Sequence, residues 1–297
     1  MVSDPRTSLA LCSLWLLLSA GGCIPGKQAR VAAVAYTAED VLRAAAKQSD
    51  STIVRDGSPA YIMLMDGLIE AYPRNVNLLT AGCQAYTVYA SSFVEDDDPG
   101  KAAILYSKAK KYGFRALSLR RDFQQAVWGN PNEFVVFLRD FTQEDVPALF
   151  WTSSAWAKWI HLNLDSVEAL ADVPMLEATM QRVIELDGGF YYGSPHLHMA
   201  VYLAAKPSIA GGNLDKAKEH FDQAFALGAD KLLSAKVLFA KYYAVRRKDR
   251  VLFEKTLQEV IAAPADEVPE LTLSNTLAKE NARELLERAD DYFMELP

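Results

Sequence analysis

The chain has 297 residues, 51% of them hydrophobic and 23% charged, with 15 Gly and 13 Pro. This is a globular composition with ample apolar material for a core. A formal net charge of −7 argues against binding a phosphate backbone, which needs clustered Lys and Arg, so no nucleic-acid partner is expected.

The first 22 residues read as a leader. Arg6 supplies a small basic region, and Leu9 to Leu18 is an apolar run. That run falls short of the roughly 20 apolar residues that span a bilayer, and it suits the apolar core of a signal peptide. Ser19, Ala20, Gly21 and Gly22 lead to Cys23. These small residues resemble a bacterial lipobox, in which a peptidase cuts before a cysteine that carries diacylglycerol. Ala20 departs from the pattern, since Leu is commoner three residues before the cysteine. The expectation is a leader over 1–22, a lipidated tether over 23–36 starting at Cys23, and a helical domain over 37–297. The alternative is an ordinary cleavable signal with a chance cysteine. Lipidation would make the anchor the sole membrane attachment. Ile24 in place of Asp after the cysteine favours the outer membrane under the sorting rule for such anchors. Cys12 lies in the leader, so Cys83 is the one other thiol of the mature chain, and its apolar helical surroundings suggest an inert buried group.

The remaining elements are helical. Thr37 reads as an N-cap with Glu39 and Asp40 in the first turn, and that helix runs to about Lys47. Residues 49–58 read as a loop, with Ser58-Pro59 opening a helix that ends at Pro73. Asn75 opens the next, whose Val76, Leu79, Cys83, Tyr86 and Phe93 follow helical spacing. Glu95 to Asp98 breaks it, Asp98-Pro99 starts another, and Gly113 closes that one as a left-handed C-terminal residue. Asn130-Pro131 opens a further helix, and an aromatic helix covers about 146–164. Pro174 begins a helix stopping at Gly188-Gly189, and Ser194-Pro195 begins one stopping by Pro207. Helices near 214–227, 231–247, 249–262 and 275–294 complete the chain. Gly211-Gly212 reads as a turn needing positive φ. With no strand alternation, the expected fold class is all-α, a single domain of stacked antiparallel helix pairs.

Two segments share a small–aromatic–small pattern: Ala102, Tyr106 and Ala109, and Ala217, Phe221 and Ala224. Small residues let two helices approach while the aromatic fills the groove against the next pair, as in TPR-like repeats. An irregular period makes these repeats degenerate.

The order of several short elements resembles the T component of TRAP transporters, the tripartite ATP-independent periplasmic systems. These are Asp98 to Ala109 with Tyr112-Gly113; Trp151, Trp156 and Trp159; Pro174 leading to Arg182 and Glu185; Tyr192-Gly193-x-Pro195-His196; and Gly211-Gly212 followed by Ala217 and Phe221. The resemblance implies TPR-like helix pairs, a homotrimer, a passage through each protomer, and association with the P component, the system's solute-binding protein. A TPR scaffold for envelope assembly is the alternative. Fold analogy alone does not establish either.

No G-x-S-x-G, P-loop or G-x-G-x-x-G motif is present, and His161, His196, His198 and His220 lack a zinc-like ligand spacing. No catalysis, metal or cofactor is therefore expected. Trp156, Trp159, Tyr192 and His196 read either as core packing between helix pairs or as the lining of a ligand passage. Glu95, Asp96 and Asp97 read either as a solvated run or as a loop meeting a basic patch on a partner.

Overall fold

The computed structural model describes residues 40–293. Among the described residues there is no strand; the fold is all-α. Cys23, the tether and the Thr37 cap lie outside the described residues. Residues 42–46 are helical. Thirteen further helices follow in chain order: α1 Ser51–Ala71, α2 Val76–Phe93, α3 Pro99–Ser118, α4 Phe123–Val127, α5 Pro131–Leu138, α6 Val146–His161, α7 Val167–Asp187, α8 Phe190–Ala205, α9 Leu214–Ala226, α10 Leu233–Leu238, α11 Arg250–Ala262, α12 Thr272–Glu287 and α13 Ala289–Phe293. Helix α10 runs on as a π-helical stretch, Phe239–Ala244.

Side-chain caps set most of the starts. The carboxylate or amide oxygens of Asn75, Asp98, Asn130, Asn213 and Asp249 accept from backbone N–H groups of the turn that follows. Short connections then pack neighbours pairwise, α2 on α3, α3 on α6, α6 on α7 and α8 on α9. Ala102, Tyr106, Ala109, Ala217, Phe221 and Ala224 are all fully buried. The small residues sit where helices approach closely, and the aromatics fill the space between them. The first helices also meet the last: Lys47 pairs with Glu270 at 3.2 Å, and Ser51 Oγ donates to Glu280 Oε1 at 3.1 Å.

Two prolines expected to open helices lie inside them. Asp50 caps α1 by accepting from Thr52 and Ile53, and Pro59 sits within the helix. Ser166 caps α7, and Pro174 sits within it. Each proline forfeits one i→i−4 bond, but both stand on exposed faces where water reaches the freed carbonyl. Burial of Ile62, Met65 and Ile69 in one case, and of Met175, Leu176 and Met180 in the other, docks the part of each helix that follows its proline.

Gly113 was expected at a helix end with positive φ. Helix α3 instead continues to Ser118, and Gly113 is buried within it. A Cβ there would lie 2.3 Å from Thr152 Oγ1 on α6, so the glycine is required by the α3–α6 crossing and not by its backbone. Gly113→Ala should cost about 1–3 kcal/mol through overpacking. Thr152 Oγ1 has no hydrogen-bond partner, so adding Thr152→Ala should restore part of the loss, the remainder reflecting the Thr152 Cβ at 2.9 Å. Thermal melts of the single and double variants test this. A Gly113→Ala melting temperature equal to wild type would remove the steric argument. Gly211, by contrast, does take a left-handed φ of 91° at its turn.

Candidate functional site

Where α3, α6 and α7 meet, charge is buried in the core. Trp156 has no exposed surface; its indole Nε1 donates to Asp172 Oδ2 at 2.7 Å and its ring meets Phe114 edge-on at 4.9 Å. Lys110 Nζ lies 3.4 Å from the same Asp172 oxygen and 3.5 Å from the centroid of the Trp159 ring. Burial pulls the Lys110 ammonium down, while Asp172 and the more distant Glu168 oppose that pull. Trp156 is thus a core residue tied to an ion pair. Trp159 is half-buried beside it, with its face covered by a cation.

The acidic turn between α2 and α3 divides. Glu95 is turned inward: Lys158 Nζ lies 2.9 Å from both carboxylate oxygens, and the Tyr106 hydroxyl donates to Oε2. Burial opposes its charge, yet Lys158 and Tyr106 hold it below the ordinary carboxylate range. Glu95 is therefore an internal partner of α6, in contrast to the loop role that its place in an acidic run suggested. Asp96, Asp97 and Asp98 are exposed. Asp98 caps α3, and Asp97 borders an open groove of about 520 Å³ with Arg55, Asp56, Tyr89 and Phe93.

The start of α8 is the most unusual backbone. Tyr191 (φ 43°), Tyr192 (φ 60°) and Gly193 (φ 76°) form a left-handed turn before the regular helix resumes at Ser194-Pro195. Two consecutive tyrosines in this region cost on the order of 1–3 kcal/mol each and persist only where packing over-determines them. That packing comes from two sides. Trp151 and Phe150 on α6 meet Tyr191 and Phe190 at ring distances of 6.4 and 5.2 Å. On α9, a Cβ at Gly193 would lie 2.9 Å from the Ala224 carbonyl, so only glycine fits that contact. One helical turn further along, His196 Nδ1 and His220 Nδ1 are 2.9 Å apart. His198 stacks on Phe150 and pairs with Ser154 Oγ at 3.2 Å, and burial pushes its imidazole down to about 4.

The four residues read as passage candidates thus fall in two places. Trp156 and Trp159 belong to the α3–α6–α7 junction, whereas Tyr192 and His196 belong to the α8–α9 junction. Helix α6 links the two through Phe150 and Trp151. Sequence reading missed Lys110, Asp172 and Lys158, and it did not join His220 to His196. Asp172 and Lys110 carry a faint signal, as charges beside apolar helical positions; the pairing of His196 with a residue 24 positions away carries none. Among the described residues no three His, Cys, Asp or Glu side chains gather as a metal-ligand set. Cys83 is buried, and desolvation pushes its thiol up to about 12, which leaves no thiolate for chemistry at neutral pH. The sites offer aromatic surface, hydrogen bonding and charge, which suit recognition.

The family described as TRAP transporter T-component matches residues 47–293. An uncharacterized protein of Treponema pallidum (strain Nichols) is 22% identical over 274 residues, covering 86% of this chain and 84% of that protein.

Proposed function

This chain belongs to the TRAP transporter T-component family, and from that premise we propose that it is a periplasm-facing lipoprotein that binds the solute-binding protein of its TRAP system. An accessory role in a TRAP system follows from the family itself. The match over residues 47–293 carries the reading, because it spans the helical pairs and both junctions described above. In this reading a lipid on Cys23 holds the mature chain at the outer membrane, the chain assembles as a homotrimer, and a small apolar or amphipathic ligand passes beside Trp159, Tyr192 and His196. No described helix is long and apolar enough to cross a membrane, which agrees with attachment by lipid. Metabolic labelling with a fatty-acid analogue should mark the wild type and leave Cys23→Ala unlabelled. Label on the variant would remove the anchor from the account.

The carboxylates of Asp96 and Asp97 are exposed, and Asp97 stands at the rim of the groove beside α1. Rim charges act mainly on the association rate and are screened over about 8 Å at physiological salt. Asp96→Asn with Asp97→Asn should slow association with the solute-binding protein and flatten its salt dependence, while stability stays within about 0.5 kcal/mol of wild type. Glu95→Gln should instead destabilise the chain, because it weakens an internal pair with Lys158. Surface binding kinetics at low and high salt, read beside urea denaturation, separate the two effects. An unchanged rate and salt slope in the double variant would reject the role of this turn.

A further inference from the structure

The His196–His220 contact and the left-handed turn share one interface, and their geometry couples them. The contact lies three residues beyond Gly193 on α8 and four residues before Ala224 on α9. It is therefore one helical turn from the place where Gly193 seats against the Ala224 carbonyl and the Leu227 side chain. Tyr192 closes the same corner, its ring 3.6 Å from the Cβ position of Gly228. Whatever separates α8 from α9 at the histidines also loosens the support that keeps two tyrosines in a conformation they would otherwise leave.

The two Nδ1 atoms at 2.9 Å leave room for one proton between them. With both rings neutral, one Nδ1 donates and the other accepts. A first added proton settles on the far nitrogen of the donor and leaves this bond in place. A second must enter at the accepting Nδ1, and two N–H groups then face each other with like charge. Burial disfavours the cation in both rings. The neighbours do not supply a compensating pair. Helix α9 contributes Glu219 and Lys216, of opposite sign. The end of α7 presents Gly188 close to His196 Nε2, while the Asp187 carboxylate there accepts from the Gly189 N–H. Asp230 and Lys231, in the turn that packs on α8 and α9, are both exposed. The π-helical stretch adds the aromatic Phe239 and Tyr243. On α8 itself, His198 is directed to Ser154 and Phe150 of α6.

We infer that His196 and His220 form a proton-dependent clasp that holds the Tyr191–Tyr192–Gly193 turn in its left-handed conformation and releases it when both imidazoles are charged. The clasp is closed at neutral pH and opens as pH falls below the ordinary histidine range. Release presents Tyr191 and Tyr192, already partly exposed beside Trp151, in a different arrangement. The inference does not depend on the identity of the partner protein, so a failure to bind the solute-binding protein would leave it standing.

The test combines imidazole nitrogen NMR with amide hydrogen exchange on the full-length chain between pH 7.5 and 4.5. The pair should titrate in two coupled steps, with the second well below the ordinary value. Protection at residues 190–193, corrected for intrinsic exchange, should drop roughly tenfold, the scale of losing one ordinary hydrogen bond, with α2 and α3 unaffected. His220→Gln keeps a hydrogen-bonding side chain without titrating and should make protection of the turn independent of pH. Independent titration of the two rings at ordinary values would overturn the clasp, as would an acid-induced opening that persists in His220→Gln. If that variant does not fold, the wild-type titration decides alone.

Discussion

Asp172→Ala should lower stability by about 3–5 kcal/mol, the scale seen when one partner of a buried ion pair is removed. The carboxylate accepts from the Trp156 indole at 2.7 Å and faces Lys110 Nζ at 3.4 Å, with each charged side chain 12% exposed. Its loss leaves the Lys110 ammonium with only the exposed Glu168 at 3.9 Å and the indole N–H without an acceptor, so two desolvation costs arise from one substitution. Asp172→Asn retains an oxygen for the indole and should recover part of the loss. Urea denaturation followed by circular dichroism measures both variants. A loss below about 1 kcal/mol in Asp172→Ala would mean that water reaches Lys110.

Trp156→Ala should cost about 3–5 kcal/mol, as expected for truncating a fully buried aromatic. The indole fills the junction of three helices and meets Phe114 edge-on. Trp159→Ala should cost clearly less, because that side chain is half-buried and one of its faces is held by Lys110. The two losses at Trp156 and Asp172 should fall short of additive in the double variant, since both remove the same hydrogen bond. Equal and small losses at the two tryptophans would mean that both line solvent-filled space.

Much of the fold is legible in the sequence because its signals are local. Asn75, Asp98 and Asn130 announce helix starts through side-chain oxygens that reach N–H groups two or three residues on. Ala102, Tyr106 and Ala109 announce a buried face through spacing alone. The failures are tertiary. Pro59 and Pro174 look like helix openings, although capping side chains start each helix earlier, at Asp50 and Ser166. Gly113 looks like a helix end because its reason, Thr152 on another helix, lies 39 positions away. Glu95 shares its neighbours' charge and not their direction, since Lys158 and Tyr106 face it from elsewhere in the fold. The left-handed tyrosines gave no local warning, because two bulky residues in that region contradict their own preference and are held there by α6 and α9. No single element pointed to the family; their order and spacing along the chain did.

The most direct measurement is equilibrium binding between the lipid-free chain and the solute-binding protein that serves the same TRAP system, at low ionic strength and with purified components. The account predicts saturable binding in the micromolar range or tighter, of a strength set by a few aromatic and charged contacts, with association that weakens as salt rises. Absence of any binding at concentrations well above micromolar, with both proteins folded, would contradict the proposed role.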